Sequence, residues 1–342
     1  MPTVLESLNS SLLQAFSTDT DVYLLGEDVL DPYGGAFKVT RGLSTRFPER
    51  VITTPISEAG FVGVAAGMAM RGLHPVVEIM FGDFITLIAD QVINHIAKFH
   101  WMYNGQVRLP MVIRTPMGGR RGYGPTHSQT LEKLFMGVPG LRVVAPAAFC
   151  QADGSGGPGD LLYQSILEYD GPTLFIENKL QYYLPVQNQP GLEDFVLEVD
   201  LNNGDRMPSF RLSVLGASPA TLTVAAYGYM AELAKQAVLR LAYEHELFAE
   251  LVVLTQLSPF LIDPILRSAR RSGALLVVEE GTLSLGWGAE VLARLAESGG
   301  RQNIWSRRLA AKDIPIPASG PLEADTLPGI DQIIQAALQR EV

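Results

Sequence analysis

Glu58 opens the stretch Glu58-Ala59-Gly60-Phe61-Val62-Gly63-Val64-Ala65-Ala66-Gly67, which sets one carboxylate ahead of a helix almost bare of side chains. Gly63 and Gly67 are four residues apart and share a helical face, with Ala66 and Met70 beside them. Each interior glycine costs a helix about 1 kcal/mol relative to alanine. Close approach of a second helix is the compensation such a face offers. The acid would then stand at the mouth of a dry helix–helix contact, where a carboxyl holds its proton more readily than in water. An acid in that state is able to share a proton with a basic partner. The same residues also fit a plain helix start, with Ser57 as N-cap and Glu58 favoured by the dipole in the first turn.

Other residues with chemical capacity lie further on. Phe84 follows the apolar run Pro75–Met80, at the kind of strand end where a parallel sheet builds sites, although a lone aromatic there is equally a core residue. His127 sits in a long polar loop, Thr115–Gln129, and imidazole is the side chain best suited to proton transfer near neutrality. The run Gly154-Ser155-Gly156-Gly157-Pro158-Gly159 is not followed by Gly-Lys-Ser/Thr and reads as a flexible surface loop, not a phosphate cradle.

These residues need a scaffold, and the pattern supplies one. Short β-rich runs alternate with helical patterns, which predicts two doubly wound α/β domains with mostly parallel sheets. In the first half the strands fall at Val22–Leu25, Val51–Thr53, Pro75–Met80, Met111–Arg114, Leu141–Ala145 and Thr173–Glu177. A helix is expected over Leu87–His100, where Ile88, Val92 and Ile96 recur every four residues. The Pro/Gly/Asn-rich segment 187–217 reads as a linker, with Asn203-Gly204 as a tight turn between two short strands. Domains of 1–186 and 218–342 follow. In the second, strands are expected at Leu222–Ala226, Leu251–Leu254, Ala274–Val278 and Ile304–Arg308, with helices between them and a last one at Ile330–Gln339.

The 342 residues are 47% apolar and carry a net charge of −10 without any basic block, which argues against nucleic acid as a partner. Cys150 is the single cysteine, so neither an internal disulfide nor a multi-cysteine metal site is available. No run of 18 apolar residues points to a membrane. The expectation is a soluble protein of a reducing compartment, cytoplasmic or in an organellar matrix after loss of a presequence.

Taken in order, several short motifs carry a resemblance over nearly the whole length. They are Gly26-Glu27-Asp28, Tyr33-Gly34-Gly35, Thr54-Pro55-Ile56-Ser57-Glu58, Glu78-Ile79-Met80-Phe81-Gly82-Asp83-Phe84 and Asp90-Gln91-Val92-Ile93-Asn94. They continue with Gly124-Pro125-Thr126-His127-Ser128-Gln129, Pro139-Gly140-Leu141, Glu279-Glu280-Gly281 and Gly286-Trp287-Gly288-Ala289-Glu290. The chain resembles the beta subunits of heterotetrameric, thiamine-dependent 2-oxo acid dehydrogenase components of the pyruvate, branched-chain and acetoin type. The resemblance implies a transketolase-like pyrimidine-binding domain followed by a transketolase C-terminal domain, and thiamine diphosphate as cofactor. It implies that Glu58 contacts N1′ of the aminopyrimidine, that Phe84 packs on that ring, and that Ile56 and Met80 line its pocket. His127 matches the histidine that assists proton transfer at the substrate carbonyl or during acyl handover.

The chain has no Gly-Asp-Gly, the motif by which thiamine enzymes hold Mg²⁺ and the diphosphate; Gly159-Asp160-Leu161 and Gly204-Asp205-Arg206 do not replace it. No metal ligand is therefore assigned here. An alpha subunit carrying that motif is expected to complete the site in an α₂β₂ heterotetramer, packed on the glycine face after Glu58. The implied reaction is decarboxylation of a 2-oxo acid with acyl transfer to a lipoyl acyltransferase or an acyl carrier protein. Departures from the family pattern bear on the acceptor. Gly137-Val138 stand where a histidine usually precedes Pro139-Gly140, the glycine-rich run replaces the usual Asp-Ala-Lys-Gly-Leu-Leu, and Arg120-Arg121 add positive charge before His127. A biosynthetic relative that loads a two-carbon unit onto a carrier protein, and a non-catalytic assembly subunit, are the alternatives. A nicotinamide-binding domain lacks its Gly-x-Gly-x-x-Gly turn.

Overall fold

The computed structural model describes residues 1–201, 207–298 and 304–341. In the first half, β1 (Val22–Gly26), β2 (Val51–Thr53), β3 (His74–Glu78), β4 (Val112–Met117), β5 (Arg142–Val144) and β6 (Thr173–Asn178) pair in parallel in the order β5-β6-β4-β3-β1-β2. The helices here are α1 (Val4–Thr18), α2 (Leu43–Arg46), α3 (Glu58–Met70), α4 (Phe99–Met102) and α5 (Pro158–Leu167). All six residues of β4 are buried, as expected of a central strand covered on both faces.

The second sheet runs β13-β12-β9-β10-β8-β7, from β7 (Phe195–Asp200), β8 (Ser209–Val214), β9 (Leu222–Ala226), β10 (Ala249–Leu254), β12 (Ala274–Thr282) and β13 (Trp305–Ala311). Its core strands are parallel, while β8 pairs antiparallel with β10 and β7 with β8. Around it lie α6 (Gly228–His245), α7 (Asp263–Ser272), α8 (Trp287–Glu297), α9 (Gly320–Thr326) and α10 (Ile330–Leu338). The remaining strand, β11 (Gln256–Ser258), leaves this half and pairs antiparallel with β5, so it becomes the seventh strand of the first sheet. One apolar cluster runs through both halves and joins Phe61, Val62 and Ile85 to Leu257, Ile265 and Trp287.

Three expectations are corrected. The segment read as a linker holds the two short strands expected there, β7 and β8, but is not a mere connection: they pair antiparallel and extend the second sheet beyond β10, because Phe195, Phe210 and Leu212 bury an apolar face. The turn expected at Asn203-Gly204 lies outside the described residues. The stretch Leu87–His100 is not a continuous α-helix. It begins in a 3₁₀ turn, Gly82–Ile88, and passes through a π-helical turn, Gln91–Ile96, before α4. Ile88, Val92 and Ile96 are nonetheless all buried; a strict four-residue repeat outruns the 3.6-residue α turn, and wider winding keeps the three on one side. The glycine-rich run is not a surface loop throughout: Gly156–Gly159 are buried, and α5 starts inside it at Pro158. Gly159 lies so close to Ser7 and Ser11 of α1 that a side chain there would collide, which explains the glycine.

Candidate functional site

Glu27 follows β1, Glu58 stands a short loop beyond β2, Phe81 and Phe84 follow β3, and His127 lies in the loop after β4. These are the carboxyl ends of neighbouring parallel strands, where an open α/β sheet concentrates its ligand sites.

Two acids meet on one side. Glu58 is the first residue of α3 and is buried at 7% exposure. Ser57 is the N-cap, yet its side chain makes no capping hydrogen bond, and among the described residues none reaches the Glu58 carboxylate. Glu27 lies within electrostatic reach: burial, and then the charge of Glu58, push its carboxyl above the usual range. Its Oε1 is buried without a hydrogen-bond partner. Sequence reasoning assigned Glu27 no role, although its place just after a strand end was a signal.

Aromatic rings form the other side. The His127 ring stands edge-on to Phe81, centroids 4.9 Å apart, and to Phe84 at 5.3 Å. Phe81 also meets Phe84 at 5.9 Å and Tyr123 at 6.1 Å. Nδ1 of His127 is 3.0 Å from the Thr126 hydroxyl, which leaves Nε2 as the nitrogen without a partner among the described residues. The 3₁₀ turn bearing Phe84 packs against α3, and Gly82 lets it press onto Met117 at the end of β4. Asp83 then ties turn to loop by accepting from the Gln129 backbone N–H (3.2 Å) and its Nε2 (2.8 Å).

Beneath the rings, the Arg114 guanidinium on β4 bridges Glu78 on β3 and Glu177 on β6, and the Tyr182 hydroxyl donates to Glu177. All four are buried, so the charges are closed on one another in a rigid floor. The second half holds the His127 loop from above. Glu280 of β12 accepts from the Gly119 N–H (2.7 Å), and Glu323 of α9 accepts from those of Arg120 (2.7 Å) and Gly122 (3.0 Å).

The structure thus brings Phe84 and His127 into contact and sets Glu58 on the helix packed against the Phe84 turn. Met80 is half-buried next to Phe81, whereas Ile56 is 86% exposed on the approach to Glu58. The outer face of α3 is bare: Gly60, Gly63, Val64 and Gly67 are exposed, and a Cβ at Gly63 or Gly67 would meet nothing within 4 Å. Among the described residues no group of three or more His, Cys, Asp or Glu is placed to hold a metal ion, and no helix is long and apolar enough to cross a membrane.

Residues 1–185 match the family model of the transketolase pyrimidine-binding domain, and residues 217–333 that of the transketolase C-terminal domain. The mitochondrial pyruvate dehydrogenase E1 component subunit beta-2 of Oryza sativa subsp. japonica is 35% identical over 337 residues, covering 98% of this chain and 85% of the relative. The pyruvate dehydrogenase E1 component subunit beta of Rickettsia bellii is 33% identical, covering 98% of this chain and 97% of its own. The acetoin:2,6-dichlorophenolindophenol oxidoreductase subunit beta of Cupriavidus necator is 33% identical, with coverage of 97% and 95%. A solved structure described as a split gene transketolase, inactive beta4 tetramer, shares the fold with a TM-score of 0.71 at 20% identity, over 99% of this chain and 98% of that one. With acids and aromatic rings gathered on the pyrimidine-binding half, the chain belongs to the family of E1 beta subunits of pyruvate and acetoin dehydrogenase type, the thiamine diphosphate-dependent oxidoreductase component.

Proposed function

We propose that this chain supplies the aminopyrimidine half of a thiamine diphosphate site that an alpha subunit completes in an α₂β₂ heterotetramer, and that the assembly decarboxylates a 2-oxo acid and transfers the acyl unit to a carrier arm. The observation that carries this reading is α3, whose first residue is a buried acid without a partner and whose outer face is mostly glycine. A bare glycine face suits a second helix at close range, and that helix would dry the mouth beside Glu58. The residues fit the pyrimidine part of the cofactor: an acid free to hold a proton at N1′, an orphaned carboxylate oxygen on Glu27, and ring faces on Phe81 and Phe84. The sequence contains no Gly-Asp-Gly, so this reading gives the metal and diphosphate part to a partner that carries the motif. Bound thiamine diphosphate supplies the electron sink that loss of CO₂ from a 2-oxo acid requires. Glu58 holds the proton at N1′, Phe84 orients the ring, and His127 moves a proton at the substrate carbonyl through Nε2.

A phosphopantetheinyl arm is favoured over a lipoyl arm by one observation. Arg121 stands over the rings of Tyr123 (5.6 Å) and Tyr183 (5.8 Å) with no carboxylate in ion-pair range among the described residues. A guanidinium hydrogen-bonded to Tyr183 and Tyr123 but neutralised by no carboxylate on that rim suits a phosphodiester. Acyl transfer to the two arms in competition, in one reconstituted complex, decides between them.

The central test is Glu58→Gln in the complex with its alpha subunit. Deuterium exchange at the thiazolium C2 is expected to fall by about a hundredfold or more, with assembly intact. Unchanged exchange would falsify the role given to Glu58.

A further inference from the structure

Residues 118–127 leave the end of β4 and return to the rings as a loop whose two ends bracket one buried ammonium. Lys179, directly after β6, has 0% exposure. Its Nζ donates to the carbonyl oxygens of Gly118 (2.8 Å) and His127 (2.5 Å) and lies 5.1 Å from the centre of the Phe81 ring. The opposite polarity comes from the second half, where Glu280 and Glu323 accept from the loop N–H groups of Gly119, Arg120 and Gly122. The loop therefore has a cation on its carbonyls and two carboxylates on its amides. Charge-assisted hydrogen bonds of this kind are about twice as strong as neutral ones.

We propose that Lys179 is a positioning residue for His127: its ammonium, with Glu280 and Glu323, forms an electrostatic clasp that fixes the loop carrying the imidazole. The functional consequence rests on His127 belonging to the active site; the clasp itself does not. The charged groups acting on Lys179 are Asp83 from the 3₁₀ turn, Glu280 from β12, Glu323 from α9 and, opposing them, Arg121 from the loop. Burial outweighs the three acids and brings the ammonium down to about 8, from 10.5 for an exposed lysine. Because the folded value is the lower one, the folded state binds less proton across the interval between them. This group's contribution to global stability therefore rises as pH climbs from about 8 to 10.5. Loop and fold respond in opposite senses: alkaline pH weakens the clasp while relieving the cost of a buried charge.

The test is hydrogen–deuterium exchange of the full chain, comparing Lys179→Met with the parent. Amides of residues 118–127 are expected to exchange about tenfold faster, in keeping with the loss of one charge-assisted anchor, while α6 keeps its protection. Should the variant unfold, the parent protein decides alone. Between pH 7 and 9.5, corrected for intrinsic base catalysis, the same loop is expected to loosen with a midpoint near 8. A loop that stays protected through that range, or in a folded Lys179→Met, overturns the clasp. In the assembled enzyme, kcat is expected to fall on an alkaline limb near 8 with KM unchanged, and the limb to vanish in the variant. A loosened loop with unaltered kcat upholds the clasp and overturns the role of His127.

Discussion

Beyond the carboxyl ends of β1, β2 and β4, the first sheet leaves Glu27, Glu58 and His127 with polar atoms that nothing in the described chain satisfies. The corresponding edge of the second sheet is turned onto the first half. After β9, Tyr227 donates to Glu132 (2.5 Å), Glu280 of β12 takes the Gly119 N–H, and the end of β12 accepts from Lys133 through the Thr282 hydroxyl (2.5 Å) and then Ser284 O (2.7 Å). Both sheets are doubly wound and both present acids at this edge. One edge is left open, and the other is closed onto the loop that carries His127. Topology alone does not assign function; the destination of the polar atoms does.

Three perturbations sharpen that contrast. The largest effect is expected from His127→Ala on the open edge: decarboxylation or acyl transfer should slow about a hundredfold or more, with cofactor still bound. If single-turnover assays instead show an enzyme that no longer assembles, the loop is structural and the open edge is misassigned.

On the closed edge, neutralising an acid should strengthen the protein. Burial raises the Glu279 carboxyl to about 7, and its Oε2 has no partner while its Oε1 accepts from the Gly288 N–H at 2.9 Å. The folded value exceeds the ordinary 4.5, so the folded state binds more proton between the two, and stability drains away as pH rises through about 7. At about 1.4 kcal/mol per pKa unit, Glu279→Gln should stabilise the protein by about 3–4 kcal/mol at pH 8. The gain should vanish near pH 4.5. Urea denaturation at both pH values measures it, and a destabilised variant at pH 8 would mean the carboxylate does work on this edge.

The smallest effect concerns the bare face of α3. Gly67→Ala should stabilise the isolated chain by about 1 kcal/mol, since nothing lies near the added methyl, and should weaken association with an alpha subunit. Thermal unfolding and sedimentation report the two. Tighter association would show that this face is not the contact.

Much of this arrangement was legible in the sequence. Val51–Thr53 and Leu222–Ala226 were readable because short β-rich runs between turns leave few other solutions, and the second of them is buried throughout. Glu58 was readable because glycines beside an acid are costly in a helix and demand a reason. Phe84 and His127 came from family motifs, and their contact emerged only in three dimensions. What stayed hidden has a common cause. Lys179, Glu280 and Glu323 bind backbone carbonyl and amide groups far away in the chain, and such partners leave no side-chain pattern to read. The buried glycine run escaped for a related reason: glycine marks a turn and a close helix contact alike, and only the position of α1 tells Gly159 which it is.

The crossing of β11 has a consequence for how the protein is divided. Gln256–Ser258 covers the flank of β5, so the first sheet is finished by chain that comes long after its own last strand. A fragment cut at residue 186 would expose that flank as a row of unsatisfied amides and carbonyls, ready to recruit a strand from any neighbour. The two halves are separable as families in a sequence, but as matter they share a seam, and neither can be removed without leaving the other sticky.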